Sequence, residues 1–185
     1  MKKKLLLISL IAVLALTLGA CSSSNEDEDP AAQKETISGL DNSEVEDYLN
    51  QYNLDAENTL SADDLTTNDD GTITCTVAGI DVKFVTSDDG LLTVTLSFQD
   101  LEDENLDVVA RDFLIAMDSE LTYDDASGML KNLRNGSTSC NLGSVKAKLT
   151  ETFGGYELRL YSPLEDILEN YDSMVEDLDD VKDND

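Results

Sequence analysis

Cys75 and Cys140 are the side chains best suited to specific chemistry, because a cysteine can act as a nucleophile or form a disulfide. A nucleophilic cysteine needs a neighbouring base, usually histidine, and the 185-residue chain contains no histidine. The same absence excludes Ser-His-Asp catalysis and nearly all zinc sites. With 40 acidic residues, some carboxylate pair is inevitable, so such a pair does not indicate a glycosidase. We therefore predict that the protein is not an enzyme and has no catalytic residue, cofactor or metal site.

One acidic segment has part of the spacing of a calcium-binding loop. Residues 68–73 read Asn-Asp-Asp-Gly-Thr-Ile, with the glycine and isoleucine correctly placed. In such a loop Thr66 would occupy position one and Val77 position twelve, where oxygen ligands of acidic side chains are needed. Because both are missing, the segment is predicted to form a β-turn.

The first twenty residues have the three zones of an export signal. Lys2, Lys3 and Lys4 are followed by an apolar run over residues 5–18 and by Leu18-Gly19-Ala20-Cys21. The run of about 14 residues is shorter than the roughly 20 that a membrane-spanning helix requires. Leu18-Gly19-Ala20-Cys21 resembles the lipobox of bacterial lipoproteins. That resemblance implies cleavage between Ala20 and Cys21 and lipid on the Cys21 thiol.

The resemblance also implies a location on the extracytoplasmic face of a membrane. Ser22 is similar to the residue that directs such proteins to the outer membrane when the host has two membranes. An exported location permits disulfides, and a bridge between Cys75 and Cys140 would close a loop of about 65 residues, stabilising the fold by roughly 4 kcal/mol. The alternative is two separate thiols that act as small hydrophobes, since both cysteines occupy apolar positions of predicted strands.

Charge and composition divide the chain. Removal of residues 1–20 takes away three lysines and no acid, leaving nine basic against 40 acidic side chains, a formal charge of −31. So acidic a chain has no basic footprint for nucleic acid. We predict a lipidated Cys21 with a flexible acidic tether over residues 21–38, a single domain over 39–178 and an acidic tail over 179–185.

Hydrophobic periodicity predicts an α+β domain. A helix begins near Asn42 or Ser43 and reaches about Gln51, and Thr122 with Asp125 forms a capping box for another helix. Further helical stripes run over residues 106–117, 126–133 and 164–178, the last opened by Pro163. Alternating strand patterns cover residues 73–77, 80–84, 92–98, 140–142, 145–149 and 156–160. The predicted architecture is an antiparallel sheet with helices packed on one face.

A shift of 65 residues places Cys75 on Cys140, Ile80 on Val145 and Gly90 on Gly155. Each copy would contain a strand, a break in the alternation, a second strand, a hairpin turn, a third strand and a helix. This layout resembles, distantly, the small tandem-repeat proteins typified by the β-lactamase inhibitor protein. The inhibitory residues of that family have no counterparts that can be placed in this sequence.

The missing catalytic sets and the predicted tether favour a non-enzymatic binding module at the cell envelope. Its partners would be the membrane, through lipid on Cys21, and a protein or peptide at the cell surface. The alternative is a lipoprotein for solute capture or envelope maintenance, with a small-molecule pocket between sheet and helices. An open sheet edge or exposed apolar patch would favour the protein partner, and an apolar concavity would favour the pocket.

Overall fold

The computed structural model describes residues 36–168 and 171. The predicted signal peptide, Ala20, Cys21, nearly all of the tether and the acidic tail therefore lie outside the described residues. In chain order the helices are α1 (Ser43–Asp55), α2 (Glu104–Met117) and α3 (Tyr123–Arg134), and Ala62–Asp64 forms a 3-10 helix. The strands are β1 (Thr66–Thr67), β2 (Ile73–Val77), β3 (Ile80–Thr86), β4 (Leu92–Phe98), β5 (Ser139–Leu142), β6 (Val145–Thr152) and β7 (Gly155–Tyr161). Residues 163–168 and 171 are also helical, and we call them the C-terminal helix.

All seven strands belong to one antiparallel sheet in the order β1-β2-β3-β4-β7-β6-β5. The predicted α+β class is confirmed. Strands β2–β4 and β5–β7 are two three-stranded meanders of matching layout, and β4 pairs with β7 to join them. Each meander is followed by a helix, as the 65-residue shift predicts.

The core lies between one face of the sheet and helices α1–α3. The alternating side chains Ile73, Val82, Leu96 and Leu158 are buried on that face, as the period of two requires. Helix α1 adds Tyr52, whose ring stacks on Phe113 of α2 with 4.4 Å between centroids. The core is mainly aliphatic, and this aromatic contact fixes α1 against α2.

The helices begin where their capping residues place them. Asn42 Oδ1 accepts a hydrogen bond from Val45 N at 3.1 Å, and α1 then continues to Asp55, beyond the predicted end at Gln51. The capping box of α3 is confirmed, because Thr122 and Asp125 exchange side-chain to backbone hydrogen bonds. Residues 68–71 form the predicted turn, closed by a 3.0 Å bond from Gly71 N to Asn68 O.

The alternation of apolar residues is interrupted at Ala78-Gly79, and these two residues form a tight turn between β2 and β3. Its central residues have φ values of 49° and 85°, and Val77 pairs with Ile80 across it. Positive φ at both central positions defines a type I′ turn, which favours Asn-Gly. Within residues 36–168 and 171, Ala78 is the one non-glycine residue with positive φ, so the turn is strained there.

We predict that Ala78→Asn raises the free energy of unfolding by about 0.5–1 kcal/mol, because asparagine tolerates the left-handed conformation better than alanine. Urea denaturation measures the effect, and the dependence of the unfolding free energy on urea concentration should be unchanged. Ala78→Val is the control and should lower stability, since a branched side chain is disfavoured at positive φ. If the Asn variant and the parent unfolded at the same midpoint urea concentration, the assignment of strain to Ala78 would be contradicted.

Candidate functional site

The structure separates the two predicted site cysteines. Cys75 lies on β2 and Cys140 on β5, with β3, β4, β7 and β6 between them. Five strand spacings of about 4.8 Å put them roughly 24 Å apart across the sheet. A disulfide needs Cα atoms within about 7 Å. Of the two alternatives, the Cys75–Cys140 bridge is therefore wrong, and the structure has two separate free thiols.

The two thiols also differ in environment. Cys75 is buried in the core, and burial raises the pKa of its thiol to about 12, with smaller contributions from the negative charges of Asp64 and Asp81. A thiol with so high a pKa is a poor nucleophile. Cys140 is only partly buried and lies on the outermost strand.

The two meanders end in different edges. On the β2 side, β1 adds a short extra strand, with Thr66 opposite Thr74 and Thr67 opposite Ile73. On the β5 side, the described sheet ends at Ser139–Leu142. The 65-residue shift places Thr74 on Ser139, and among the described residues no strand covers β5 as β1 covers its counterpart.

The hydrogen-bond pattern shows which groups of β5 face away from the sheet. Leu149 N donates to Thr138 O at 2.9 Å, which makes residues 138 and 149 a hydrogen-bonded pair of the antiparallel ladder. Since such pairs alternate, Cys140 and Leu142 bond to β6. The backbone N–H and C=O groups of Ser139 and Asn141 therefore point outward, as those of Thr74 do toward β1.

A groove of about 320 Å³ runs along this edge, between β5 and α3. Met129 of α3 and the β5 residues Cys140 and Leu142 supply its apolar lining. Gly128 also lines the groove, and the space beside it is open, because a Cβ at this position would have no atom within 4 Å. An edge strand beside a helix, with an apolar lining, is the geometry in which an extended peptide can add a strand.

Two carboxylates of α3, Asp124 and Asp125, border the groove. The Thr122 hydroxyl donates to Asp125 Oδ2 at 2.6 Å and the Thr122 backbone N–H donates at 3.0 Å. These hydrogen bonds, the hydroxyl's first, hold the pKa of Asp125 below its ordinary value. The rim is therefore negative at neutral pH and suits a basic side chain.

The opposite face of the sheet is polar. One row of directly opposed residues contains Lys83, Thr95, Arg159 and Lys148. A depression of about 600 Å³ near Lys83 is lined mainly by threonine, serine and aspartate side chains. It is not the apolar concavity that a small-molecule pocket would need.

No protein family model, curated protein or solved structure matches the chain. In residues 36–168 and 171, no group of three or more potential metal ligands comes together. Within the same residues, no helix has the length and apolar character that crossing a membrane requires.

The β5 edge was missed by sequence reasoning, although Cys140 belongs to it. The alternation of Cys140 and Leu142 predicts a strand but not its neighbours in the sheet. The one available signal was the short connection from α3 to β5, only residues 135–138, which leaves no length for a covering strand.

We predict that Cys140 reacts with a maleimide at least about tenfold faster than Cys75 in the native protein, because Cys75 is buried with a raised pKa. Mass spectrometry of peptides at successive times measures both rates. In denaturant the two rates should become similar, which controls for local sequence. A peptide that links Cys75 to Cys140 after non-reducing digestion would contradict the assignment of free thiols.

Proposed function

We propose that this protein is a lipid-anchored, non-enzymatic binding domain at the extracytoplasmic face of a membrane, where it captures extended peptide segments of other proteins. The observation that carries the proposal is the open β5 edge beside the α3 groove. Strand β1 supports it, because β1 occupies the equivalent edge of the other meander and shows how an extended segment fits there.

The groove suggests the chemistry of the peptide. A strand added to β5 would bond to the outward backbone groups of Ser139 and Asn141, and its side chains would alternate between the two faces of the sheet. Those on the helix side would contact Met129 and Leu142, so we expect apolar residues there. A lysine or arginine near Asp124 and Asp125 would complete the match. The expected ligand is therefore an extended peptide with alternating apolar residues and a basic residue.

Selection of random heptapeptides by display against residues 22–185 tests the site. This segment retains the whole described core, because every described core residue lies at position 37 or later. We predict that the selected peptides have this pattern and protect the amides of Ser139 and Asn141 from hydrogen exchange. Asn141→Pro should weaken their binding at least about tenfold, because it removes an outward N–H. Thr76→Pro is the matched control, since the 65-residue shift places Thr76 on Asn141.

A second variant separates groove occupancy from folding. Gly128→Leu fills the groove, yet it should raise helix stability by about 0.5–1 kcal/mol because glycine is a poor helix former. We expect it to abolish peptide binding while raising the melting temperature. Peptides that bind both Asn141→Pro and Gly128→Leu with unchanged affinity would contradict strand addition at β5.

The membrane anchor is proposed from Cys21 and the lipobox resemblance. Lipid on one cysteine would hold the protein at the membrane, because acyl chains bury themselves in the bilayer while the acidic body has no affinity for anionic lipid. We predict that Cys21→Ser leaves the protein as an uncleaved precursor or releases it from the membrane. Fractionation and intact mass measure the outcome, with Ser23→Ala as a control. A membrane-bound Cys21→Ser protein of mature size would contradict the proposal.

A further inference from the structure

The C-terminal helix is attached to the polar face of the sheet through its acidic side. Glu165 accepts hydrogen bonds from the Arg159 guanidinium and the Thr93 hydroxyl, each at 2.8 Å. Asp166 pairs with Lys146 and accepts a 3.2 Å hydrogen bond from the Tyr161 hydroxyl. These residues of β4, β6 and β7 all project from the face opposite α1–α3.

The other side of the same helix is apolar and exposed. Leu164, Ile167, Leu168 and Tyr171 are 56%, 62%, 38% and 65% exposed. Their spacing of three, four and seven residues places them on one side of a helix, and we call them the C-terminal stripe. Most surface helices bury such a stripe, so this orientation is the reverse of the usual one.

The sheet explains the orientation. The face beneath the helix offers lysine, arginine and threonine side chains, with Lys146 and Arg159 placed to receive carboxylates. The apolar side chains on this face include Val85, which lies opposite Thr93, and Tyr161, whose ring is covered by Lys146 and Arg159. The helix is therefore attached by Glu165 and Asp166, and the C-terminal stripe faces away from the body.

We propose that the C-terminal stripe is a second docking surface, and that its occupant is an amphipathic helix of a partner protein with basic residues beside its apolar stripe. An i, i+3, i+4, i+7 set of apolar side chains packs against a matching set on another helix. This surface is separate from the β5 edge and does not depend on the function proposed for that edge.

Charge selects a basic occupant. Residues 163–185 contain ten acidic side chains and one lysine, and eight of the ten lie outside the ion pairs that Glu165 and Asp166 make with Arg159 and Lys146. Two copies that met through their stripes would bring these acidic segments together, and like charges oppose such a contact. Anionic lipid would be repelled in the same way. A helix with lysines or arginines flanking its apolar side would be attracted.

The test uses a 21-residue probe peptide with leucine at helical i, i+3, i+4 and i+7 positions and lysine elsewhere, against a scrambled peptide of the same composition. Fluorescence anisotropy at 150 mM salt measures binding to residues 22–185. We expect at least tenfold tighter binding of the amphipathic peptide. The double variant Ile167→Ser, Leu168→Ser should remove that preference.

Two controls make the outcome specific. Phe153→Ser removes a fully exposed apolar side chain elsewhere, at the β6–β7 turn, and should leave both affinities unchanged. Asn141→Pro should also retain the preference, which separates this surface from the β5 edge. Because the substituted side chains are exposed, unchanged thermal melts should accompany the loss of binding.

Three results would overturn the proposal. Equal binding of the two peptides to the parent protein would show that charge alone attracts them. A parent dimer in sedimentation equilibrium that the Ile167→Ser, Leu168→Ser variant converts to monomer would show that a second copy covers the stripe. Binding to phosphatidylcholine vesicles that the same variant abolishes would assign the stripe to a lipid surface.

Discussion

The pairing of β4 with β7 is the constraint on which the rest of the structure depends. It joins the two meanders into one sheet, and its central residues, such as Leu96 opposite Leu158, are buried in the core. The strands approach so closely that a Cβ on Gly155 would lie 2.3 Å from the Phe98 carbonyl oxygen. Glycine is therefore required where β7 begins, and any other residue would displace the backbone of β4.

This central pairing also decides which strands lie at the edges. With the third strands of the two meanders paired, the first strands, β2 and β5, become the outer strands of the two meanders, and β1 lies beyond β2. The connection before β2 covers residues 56–72 and is long enough to supply β1, whereas the connection before β5 covers only residues 135–138. The difference between a covered and an open edge thus follows from two loop lengths. An open edge strand can pair with strands of other chains and so promote aggregation, unless a binding partner occupies it.

Local patterns predicted most of the fold because they are set by neighbouring residues. Alternation at Ile73, Cys75 and Val77, the capping box at Thr122 and the β-turn at residues 68–71 each depend on a few adjacent positions. The order of the strands in the sheet does not depend on adjacent positions. For that reason the sequence could not show that Cys75 and Cys140 are too far apart to form a disulfide. Matching positions in two repeats imply equivalent places in the two meanders, which a two-fold arrangement puts at opposite ends of the sheet.

Strand β1 escaped prediction because two residues show no periodicity. The apolar side of the C-terminal helix was predicted, but its direction was not. Its orientation depends on Lys146 of β6 and Arg159 of β7, which pair with Asp166 and Glu165 of the helix. An apolar stripe in the sequence identifies the side of a helix whose burial would be favourable. Only the tertiary structure shows whether an apolar surface lies where that side can pack against it.

The charge of the body connects the two proposed surfaces. Each presents apolar side chains beside carboxylates: Met129 and Leu142 near Asp125, and the C-terminal stripe within an acidic segment. At physiological salt the field of distant charges is screened beyond about 8 Å, so it affects the rate of encounter more than the strength of the final contact. Apolar burial and backbone hydrogen bonds must then supply the affinity. A body of this charge slows the approach of other acidic proteins and favours basic ones, while shape and pairing at the two surfaces select among them.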